Sequence, residues 1–337
     1  MNPSVSDVAQ AAGVSTATVS RAMRNLPHVT LQTRARILKA AAELGYSPSR
    51  SAAALASGRT QSIGLVASAI SRWFFAEVIE GVERTLREAD MDALLYFLPD
   101  TSPTRPRFEA EVLRGRVDGV VVASLSFTDE EAATLQTLGV PTVFVSVRQP
   151  GFIHVGIDDT LAARQAVGHL LGLGHRVIGH IGGPRQDIAP YSPTYRRRLG
   201  WRDALLAAGL AAPDNLDIAA DFSPESGLRA MHKLLDSAPD LTAVFAASDE
   251  MAMGAVQALH DRGLAVGQDV SVIGVDGHHL DDILGLTSVV QPVREQGAKA
   301  AELLLAVLSG GDEPSEAVVF PTYVYPRRST GVPNRRV

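Results

Sequence analysis

The residues best suited to recognition chemistry lie near the amino terminus, where short hydroxyl side chains surround one arginine. Residues 5–25 read VSDVAQAAGVSTATVSRAMRN. A helix-turn-helix requires a small residue late in its first helix, a turn glycine and an apolar anchor in its second helix, and Ala9, Gly13 and Val19 occupy those positions. This spacing leaves outward the side chains that suit base edges and phosphates in a major groove, namely Thr16, Ala17, Thr18, Ser20 and Arg21. A small helical bundle with incidental polar residues is the alternative interpretation.

A first helix and a tight turn must position these side chains. Ser6 can cap that helix, and Val8, Ala11 and Ala12 recur at helical spacing as its inward face. Gly13 then supplies the positive φ that a tight helix end requires.

A second and a third helix complete the predicted head. Ser15 can cap a helix from Thr16 to Met23. Thr30 starts a longer helix, which Gly45 ends with Pro48 just beyond.

Charge is distributed unevenly along the chain. Residues 1–60 contain seven Lys and Arg side chains against two acidic ones, a balance of +5, so the formal net charge of −6 leaves −11 for the remainder. A small basic head on a large acidic body predicts that only the head meets a polyanion such as nucleic acid. A solvated run of charges is the other interpretation of the charge alone.

The pattern of apolar and polar residues changes after a linker rich in Ser, Ala and Arg at residues 47–60. Continuous apolar strands separated by helices indicate parallel sheets covered on both faces. About 270 residues of this pattern exceed one compact core and predict two similar α/β lobes. The predicted strands are 63–67, 94–98, 119–123, 142–147, 153–157, 177–181, 243–247 and 270–275.

Several classes of protein are excluded or disfavoured. The chain has no cysteine, which excludes disulfides and thiolate metal sites and suits a reducing cytoplasm. It shows no apolar run long enough to span a membrane, no export signal, no nucleotide-binding glycine motif and no serine-nucleophile motif. His278 and His279 lie close to two aspartates, but adjacent histidines rarely both reach one metal ion. We therefore expect a cytoplasmic, nucleoid-associated binding protein that is not an enzyme and needs no metal or cofactor.

Longer segments carry a family resemblance. DVAQAAGVSTATVSRAM and HVTLQTRARILKAAAELGYSPSR resemble the DNA-binding head of the LacI/GalR family of bacterial repressors. The likeness continues, in the family's order and spacing, through SIGLV, HLLGLGHRVIGHIGG, RRRLGW, DFSPESG, AASDEMAMGAV, DVSVIGVDG, LTSVVQPVREQGAKAAELLL and PRRST.

The resemblance implies an α/β protein with an all-α helix-turn-helix head, a hinge helix and a two-lobed body like a periplasmic binding protein, built on parallel sheets. The implied divisions are a DNA-binding domain at 1–47 and a hinge at 48–60. An amino-terminal lobe spans 61–158 and 291–319, and a carboxyl-terminal lobe spans 159–290 and 320–332.

The hinge and other residues of the head supply further candidate DNA contacts. In the family, the hinge segment folds only on the operator, and Leu55 matches a leucine that wedges into the central base step from the minor groove. The alternative is that Leu55 is a surface leucine in a flexible linker. The additional candidates are Ser15, Thr30, Thr33, Tyr46, Ala53 and Leu55.

The resemblance also implies a small-molecule effector, such as a sugar, between the lobes. Asp158 and Asp276 follow strands and match acids that accept hydrogen bonds from sugar hydroxyls. Arg197 matches an effector-binding arginine, although its place in a run of three arginines also fits a solvated face. Phe222 matches an aromatic wall, with a core position as its alternative, and Asp158 could simply cap a helix.

Some candidate effector residues depart from the family's pattern. Trp73 and Phe74 replace a more usual Asn-Pro and could add an apolar wall, although Trp73 could also be core. Ser248 replaces a frequent Asn, and Gln291 in the last crossing between lobes is a further candidate.

The expected mechanism is allosteric repression. A homodimer would place two recognition helices on a pseudo-palindromic operator, and effector binding would change the DNA affinity, with release of DNA as the expected direction. The end of the chain lacks apolar heptads for a tetramer, so we expect a dimer. A sugar-binding protein without DNA regulation, or an α/β enzyme, is the alternative.

Overall fold

The computed structural model describes residues 3–23, 27–46, 59–98, 108–185, 189–312 and 317–334. Ala53 and Leu55 lie outside these ranges. The chain divides into two compact units, residues 1–61 and 62–337, each with its own core.

The first unit is a three-helix head. Its helices are α1 (Val5–Ala12), α2 (Thr16–Met23) and α3 (Leu31–Leu44). Val8, Val19 and Ile37, one from each helix, are fully buried and form its centre. The predicted bounds of α2 and the predicted start and end of α3 are confirmed, since Thr30 caps α3 and Gly45 ends it with a φ of 65°.

Two details of α1 were predicted wrongly. Ser4, not Ser6, is the amino-terminal cap, because Asp7 lies three residues after Ser4 and its carboxylate accepts a hydrogen bond from the Ser4 backbone N–H. The inward face contains Ala9 rather than Ala11, which is exposed. The helix starts two residues earlier than expected, and its buried face is set by contact with the other helices.

The second unit contains two six-stranded sheets with helices between most of the successive strands. Its helices are α4 (Trp73–Glu88), α5 (Asp129–Gln136), α6 (Asp159–Gly172), α7 (Pro193–Ala207), α8 (Pro224–Ser237), α9 (Asp249–Asp261), α10 (Asp281–Leu284) and α11 (Val293–Leu308). Its strands are β1 (Ser62–Ala67), β2 (Asp92–Phe97), β3 (Gly119–Ala123), β4 (Thr142–Val145), β5 (Ile153–Ile157), β6 (Ile178–Gly182), β7 (Asp217–Ala219), β8 (Ala243–Ala246), β9 (Ser271–Asp276), β10 (Thr287–Val290), β11 (Val318–Phe320) and β12 (Tyr323–Tyr325).

Each sheet defines one lobe. The first lobe has the strand order β11-β5-β4-β3-β1-β2, and the second has β12-β10-β9-β8-β6-β7. All strand pairs are parallel except β10 with β12. Parallel order places the carboxyl ends of the strands of one sheet at the same edge, where α/β proteins bind their ligands.

Burial on both faces explains why the strands read as unbroken apolar runs. In β3, Val121 packs into the core on one face of the first sheet, and Val120 and Val122 pack into the core on the other. Alternate side chains of a strand point to opposite faces, so a strand between two helical layers must be apolar at every position.

The eight predicted strands are all present, with shifts at their ends. The strand predicted at 142–147 stops at Val145, because Ser146 adopts a φ of 74° and leaves the extended region. Leu98 lies beyond β2. Four short strands were not predicted: β7, β10, β11 and β12.

Candidate functional site

The outer surface of α2 carries the predicted DNA-binding side chains. Thr16, Ala17 and Arg21 are exposed, and Thr18 and Ser20 are half-buried. The Ser15 hydroxyl lies 2.8 Å from the Thr18 hydroxyl and accepts the Thr18 backbone N–H at 3.2 Å. Ser15 therefore caps the helix, and the surface left for a ligand is formed chiefly by Thr16, Ala17 and Arg21.

The remaining described candidates of the head also have structural roles. Thr30 caps α3 by accepting the Thr33 backbone N–H at 3.2 Å, and its hydroxyl donates to that of Thr33 at 2.9 Å. Tyr46 is half-buried against the core of the head.

Arg197 is the centre of a buried polar network in the second lobe. Its Nε donates to Oδ1 of Asp159 at 2.8 Å, and its Nη1 donates to the Ala247 carbonyl. The same Nη1 lies 3.9 Å from Oδ1 of Asp276. Arg197 has an exposed fraction of 4%, so the solvated-face interpretation of this position is wrong.

Asp276 is the last residue of β9 and is held in an unusual conformation. Its φ is 140°, a region that side-chain-bearing residues rarely adopt, and its exposed fraction is 6%. Gln291 Nε2 donates to its Oδ1 at 2.7 Å, and Gln296 Nε2 donates in turn to Gln291 Oε1 at 2.9 Å. Burial raises the pKa of Asp276 to about 8, against the attraction of Arg197.

Asp158 and Asp159 have different environments. Asp158 is exposed and caps α6 by accepting the Leu161 backbone N–H at 3.0 Å. Asp159, the next residue, has an exposed fraction of 5% and faces Arg197. Sequence reasoning missed Asp159, and the only signal was its place beside Asp158 after an apolar strand.

Positive φ values recur at the carboxyl ends of the strands. Besides Asp276, they occur at Ser124 (50°) after β3, Ser146 (74°) after β4 and Phe222 (65°) after β7. Residues held in such sparsely populated conformations cluster at ligand sites. This edge of both sheets is therefore the candidate site.

Phe222 and Thr194 of α7 both lie close to Gly183. A Cβ added to Gly183 would come within 2.8 Å of Phe222 Cζ, and still closer to the Thr194 hydroxyl. Thr194 is three residues before Arg197, which places both on one side of the helix. Phe222 is half-buried, so part of its ring remains available to a ligand beside Arg197.

Trp73 joins the two lobes. Its ring centroid lies 5.0 Å from that of His278, which follows β9, and His278 stacks on His279 at 4.4 Å. Burial lowers the pKa of His278 to about 4, so its ring is neutral near pH 7. Phe74 points elsewhere: it packs edge-on against Phe75 at 5.6 Å, beside the first-lobe core.

Ser248 and Asp249 form a second cap at this edge. Ser248 is buried and accepts the Met251 backbone N–H at 3.3 Å. Asp249, which sequence reasoning also missed, is fully buried and accepts backbone N–H groups of Gly277 at 2.7 Å and His278 at 3.0 Å. Asp249 thereby fixes the loop that carries the histidines.

The described residues contain no group of three His, Asp or Glu side chains placed to hold a metal ion. In the part of the chain that the structure describes, no helix is long and apolar enough to cross a membrane.

Comparison with known proteins accounts for both units. Residues 4–49 match the family described as bacterial regulatory proteins, lacI family, and residues 167–330 match the periplasmic binding protein-like domain. Catabolite control protein A of Priestia megaterium is 33% identical over 98% of this chain and 100% of its own length. The transcriptional regulator CelR of Thermobifida fusca is 35% identical over 97% of this chain and 98% of its own length.

Solved structures of transcriptional regulators resemble this chain over nearly its whole length. A CelR–cellobiose complex shares 34% identity and a TM-score of 0.72, covering 97% of this chain and 99% of the other. The lac repressor dimer bound to operator and the anti-inducer ONPF gives a TM-score of 0.86 at 26% identity, over 98% of this chain and 100% of the other. The function that these relatives share is transcriptional repression in response to an effector. This chain belongs to the LacI family of bacterial regulatory proteins.

Proposed function

We propose that this repressor binds a pseudo-palindromic operator as a homodimer, with α2 as the recognition helix. The exposed Thr16, Ala17 and Arg21 on α2 and the excess of basic residues in the head support this assignment. The similarity to a lac repressor dimer on its operator supports it further.

The domain divisions complete this proposal. We assign DNA binding to residues 1–47 and a hinge with Ala53 and Leu55 to 48–60. The amino-terminal lobe is 61–158 with 291–319, and the carboxyl-terminal lobe is 159–290 with 320–332. The sheet membership of β11 and β12 supports the last division.

The effector of this proposal is a sugar bound at the strand ends of the second lobe. The observation that carries it is the buried Arg197–Asp276–Gln291 network beside the half-buried ring of Phe222. Charged groups make strong, directional hydrogen bonds with hydroxyls, and an aromatic face covers the apolar side of a sugar ring. A relative's structure contains cellobiose and another contains ribose, which supports a carbohydrate here.

Coupling between effector and DNA follows from the two-lobed arrangement. The Trp73–His278 contact and the Asp276–Gln291–Gln296 hydrogen bonds join the lobes around the site. A ligand that prefers one spacing of the lobes shifts the population of that state. A coupling of about 1–3 kcal/mol changes operator affinity about 5–150-fold. We assign the ligand the role of inducer.

We also propose that the protein acts in the cytoplasm, without catalysis and without a cofactor other than its effector. The regulatory roles of its relatives support this.

The experiment starts from selection of duplexes from a random library by the purified protein. A selected pseudo-palindrome bound better than random DNA supports the proposal, and equal binding of all sequences contradicts it. Sugars are then titrated into the operator complex, with Arg197→Gln as the test variant. The matched control is Arg164→Gln, because Arg164 is half exposed and pairs only with Asp203 at the surface among the described residues. Arg197→Gln should abolish release by the active sugar, and Arg164→Gln should retain it.

A further inference from the structure

One polar side chain interrupts the buried face of α11. The buried residues of this helix are Val293, Gln296, Gly297, Ala300, Ala301 and Leu304. Gln296 is the only one of them with a polar side chain, and its exposed fraction is 0%. A buried amide gives up its hydrogen bonds to water, which is unfavourable unless protein groups replace them. The helical pattern favours an apolar residue at this position, so the amide needs a specific explanation.

The amide of Gln296 has a partner on one side only. Its Nε2 donates to Oε1 of Gln291 at 2.9 Å, whereas its Oε1 accepts no hydrogen bond from the described residues. A buried acceptor without a donor costs free energy, which a leucine or methionine at this position would avoid. Packing alone therefore favours an apolar side chain here, and the hydrogen bond to Gln291 is the interaction that an apolar side chain cannot supply.

That hydrogen bond determines which way the Gln291 amide faces. A primary amide accepts through its oxygen and donates through its nitrogen. Because Oε1 of Gln291 accepts from Gln296, its Nε2 is turned the other way and donates to Oδ1 of Asp276 at 2.7 Å. The reverse orientation would bring two donors together at Gln296 and would suit Asp276 only when that carboxyl is protonated and donates. Gln296 therefore holds Gln291 in the orientation that suits an ionised Asp276.

These hydrogen bonds run from one lobe to the other. Asp276 ends β9 of the second sheet, whereas Gln296 lies in α11, whose buried residues belong to the core of the first lobe. Helix α11 packs so closely on α4 that Gly81 and Gly297 have no room for a side-chain carbon. Gln296 is thus fixed in a tightly packed helix pair of the first lobe.

The unused oxygen of Gln296 offers a second arrangement of the same groups. A ligand that donates to Asp276 competes with Nε2 of Gln291 for that carboxyl. The Gln291 amide can then turn and donate to Oε1 of Gln296, the acceptor that has no donor in this structure. A change at Asp276 would in this way reach a fully buried group of the first lobe.

We propose that Gln296 is a positioning residue of the proposed effector site, which from inside the first lobe turns Nε2 of Gln291 toward Asp276 and so couples that second-lobe carboxyl to α11. The inference rests on the proposed function, because Asp276 meets a ligand only if the effector site is where we place it. It adds to that site a residue that acts through Gln291 without touching the ligand.

The test follows the acid dissociation of Asp276 in the full-length protein, without DNA or effector. Carbon NMR of labelled aspartate carboxyls reports each pKa separately, and the Asp276 signal is the one that Asp276→Asn removes. The test variant is Gln296→Met, which keeps the length of the side chain and removes its donor. Gln149→Met is the matched control, because Gln149 is also a buried glutamine but accepts from the Phe127 backbone N–H at 3.3 Å.

We expect Gln296→Met to lower the acid dissociation constant of Asp276 at least about threefold, and therefore to raise its pKa, since a single hydrogen bond favours one protonation state by this order. Without the donor from residue 296, the Gln291 amide can turn and accept the proton of the neutral Asp276 carboxyl. Gln149→Met should leave this pKa unchanged. The substitution alters no charge among the groups that also act on this carboxyl, which are Arg197, Asp249 and Glu250.

A smaller change of the Asp276 pKa, a change of opposite sign or an equal rise in Gln149→Met overturns the inference. Gln296→Leu takes the place of Gln296→Met if the methionine variant does not fold. Because the experiment uses neither operator nor sugar, a negative result leaves the proposed function standing. Failure of operator selection or of release by sugars contradicts the proposed function and leaves the positioning of Gln291 by Gln296 standing.

Discussion

Nε of Arg197 donates to Oδ1 of Asp159 across 2.8 Å, with both side chains almost completely removed from water. Arg197 lies on α7 and Asp159 at the start of α6, so one buried ion pair connects two helices that border the proposed effector site. Burial raises the pKa of Asp159, and the attraction of Arg197 opposes that rise.

Removal of one partner of this pair should destabilise the second unit. Arg197→Ala leaves the Asp159 carboxylate buried without its cation, which costs about 3–5 kcal/mol. Asp159→Asn combined with Arg197→Ala should cost less than the sum of the single changes, since the two residues interact. Urea unfolding measures each value. The control Arg164→Ala breaks an exposed pair and should cost less than about 1 kcal/mol; equal costs for Arg164 and Arg197 would contradict the structure.

The stability of the second unit should fall as pH rises toward about 8. The pKa of Asp276 is raised to about 8 by burial, so between the ordinary pKa of 3.8 and that value the folded state binds more protons than the unfolded state. The contribution of Asp276 is then highest at the acidic end of this window and decreases by up to about 1.4 kcal/mol per pH unit. Below pH 6.5 the lowered pKa of His278 contributes with the opposite sign, so the effect of Asp276 is measured above that pH. Asp276→Asn should flatten the profile measured by urea unfolding between about pH 7 and pH 8. Asp281, whose pKa is also raised, should leave a residual slope of the same sign. A wild-type stability that rises between about pH 7 and pH 8 would contradict the assignment.

The cap of α1 should depend on Ser4 and not on Ser6. Ser4→Ala removes a reciprocal capping pair with Asp7 and should weaken α1 by about 1 kcal/mol. Amide hydrogen exchange in the full-length protein should show faster exchange in α1. Ser6→Ala is the matched control because Ser6 is exposed on the helix, and it should change protection by less than about 0.5 kcal/mol. Faster exchange of α1 in Ser6→Ala than in Ser4→Ala would instead support Ser6 as the cap.

Operator binding should depend on Arg21. Arg21→Ala removes an exposed cation from α2 and should cost about 1–3 kcal/mol in operator affinity if it contacts a base, with relaxed discrimination at one position. A uniform loss on all sequences, with a shallower salt dependence, would instead assign it to a phosphate. Lys39→Ala is the control, because Lys39 is exposed on α3 and pairs with Glu43 at 3.9 Å. No change for Arg21→Ala would exclude α2 as the recognition helix.

The hinge should supply selectivity rather than general affinity. Leu55→Gly removes the side chain assigned to the central base step, so specific binding should fall while nonspecific binding persists. Gel-shift titrations on operator and on random duplexes measure the two affinities. Unchanged discrimination would argue against a wedge role for Leu55.

Local patterns were sufficient to predict the helices of the head and most of the strands. Val19 with Ala22, and Ile37 with Ala41, recur at helical spacing. Thr30 and Gly45 have side-chain and backbone preferences that start and end a helix, and the strands are apolar on both faces. These properties depend on neighbours within a few residues. The three-residue strands β7, β11 and β12 are too short to show a period, and their pairing depends on strands far away in the chain.

The chemistry of the effector site depended on contacts that no local pattern contains. Sequence reasoning indicated Arg197 and Asp276, but it selected the exposed Asp158 over the buried Asp159. The two aspartates are adjacent in the chain, and Asp159 is distinguished by its partner Arg197 on another helix. The positive φ of Phe222 and the burial of Arg197 and Asp276 likewise arise from elements distant in the chain. Residue types determine which hydrogen bonds and charges are available, whereas packing determines which of them lose water and meet, and burial controls their strength.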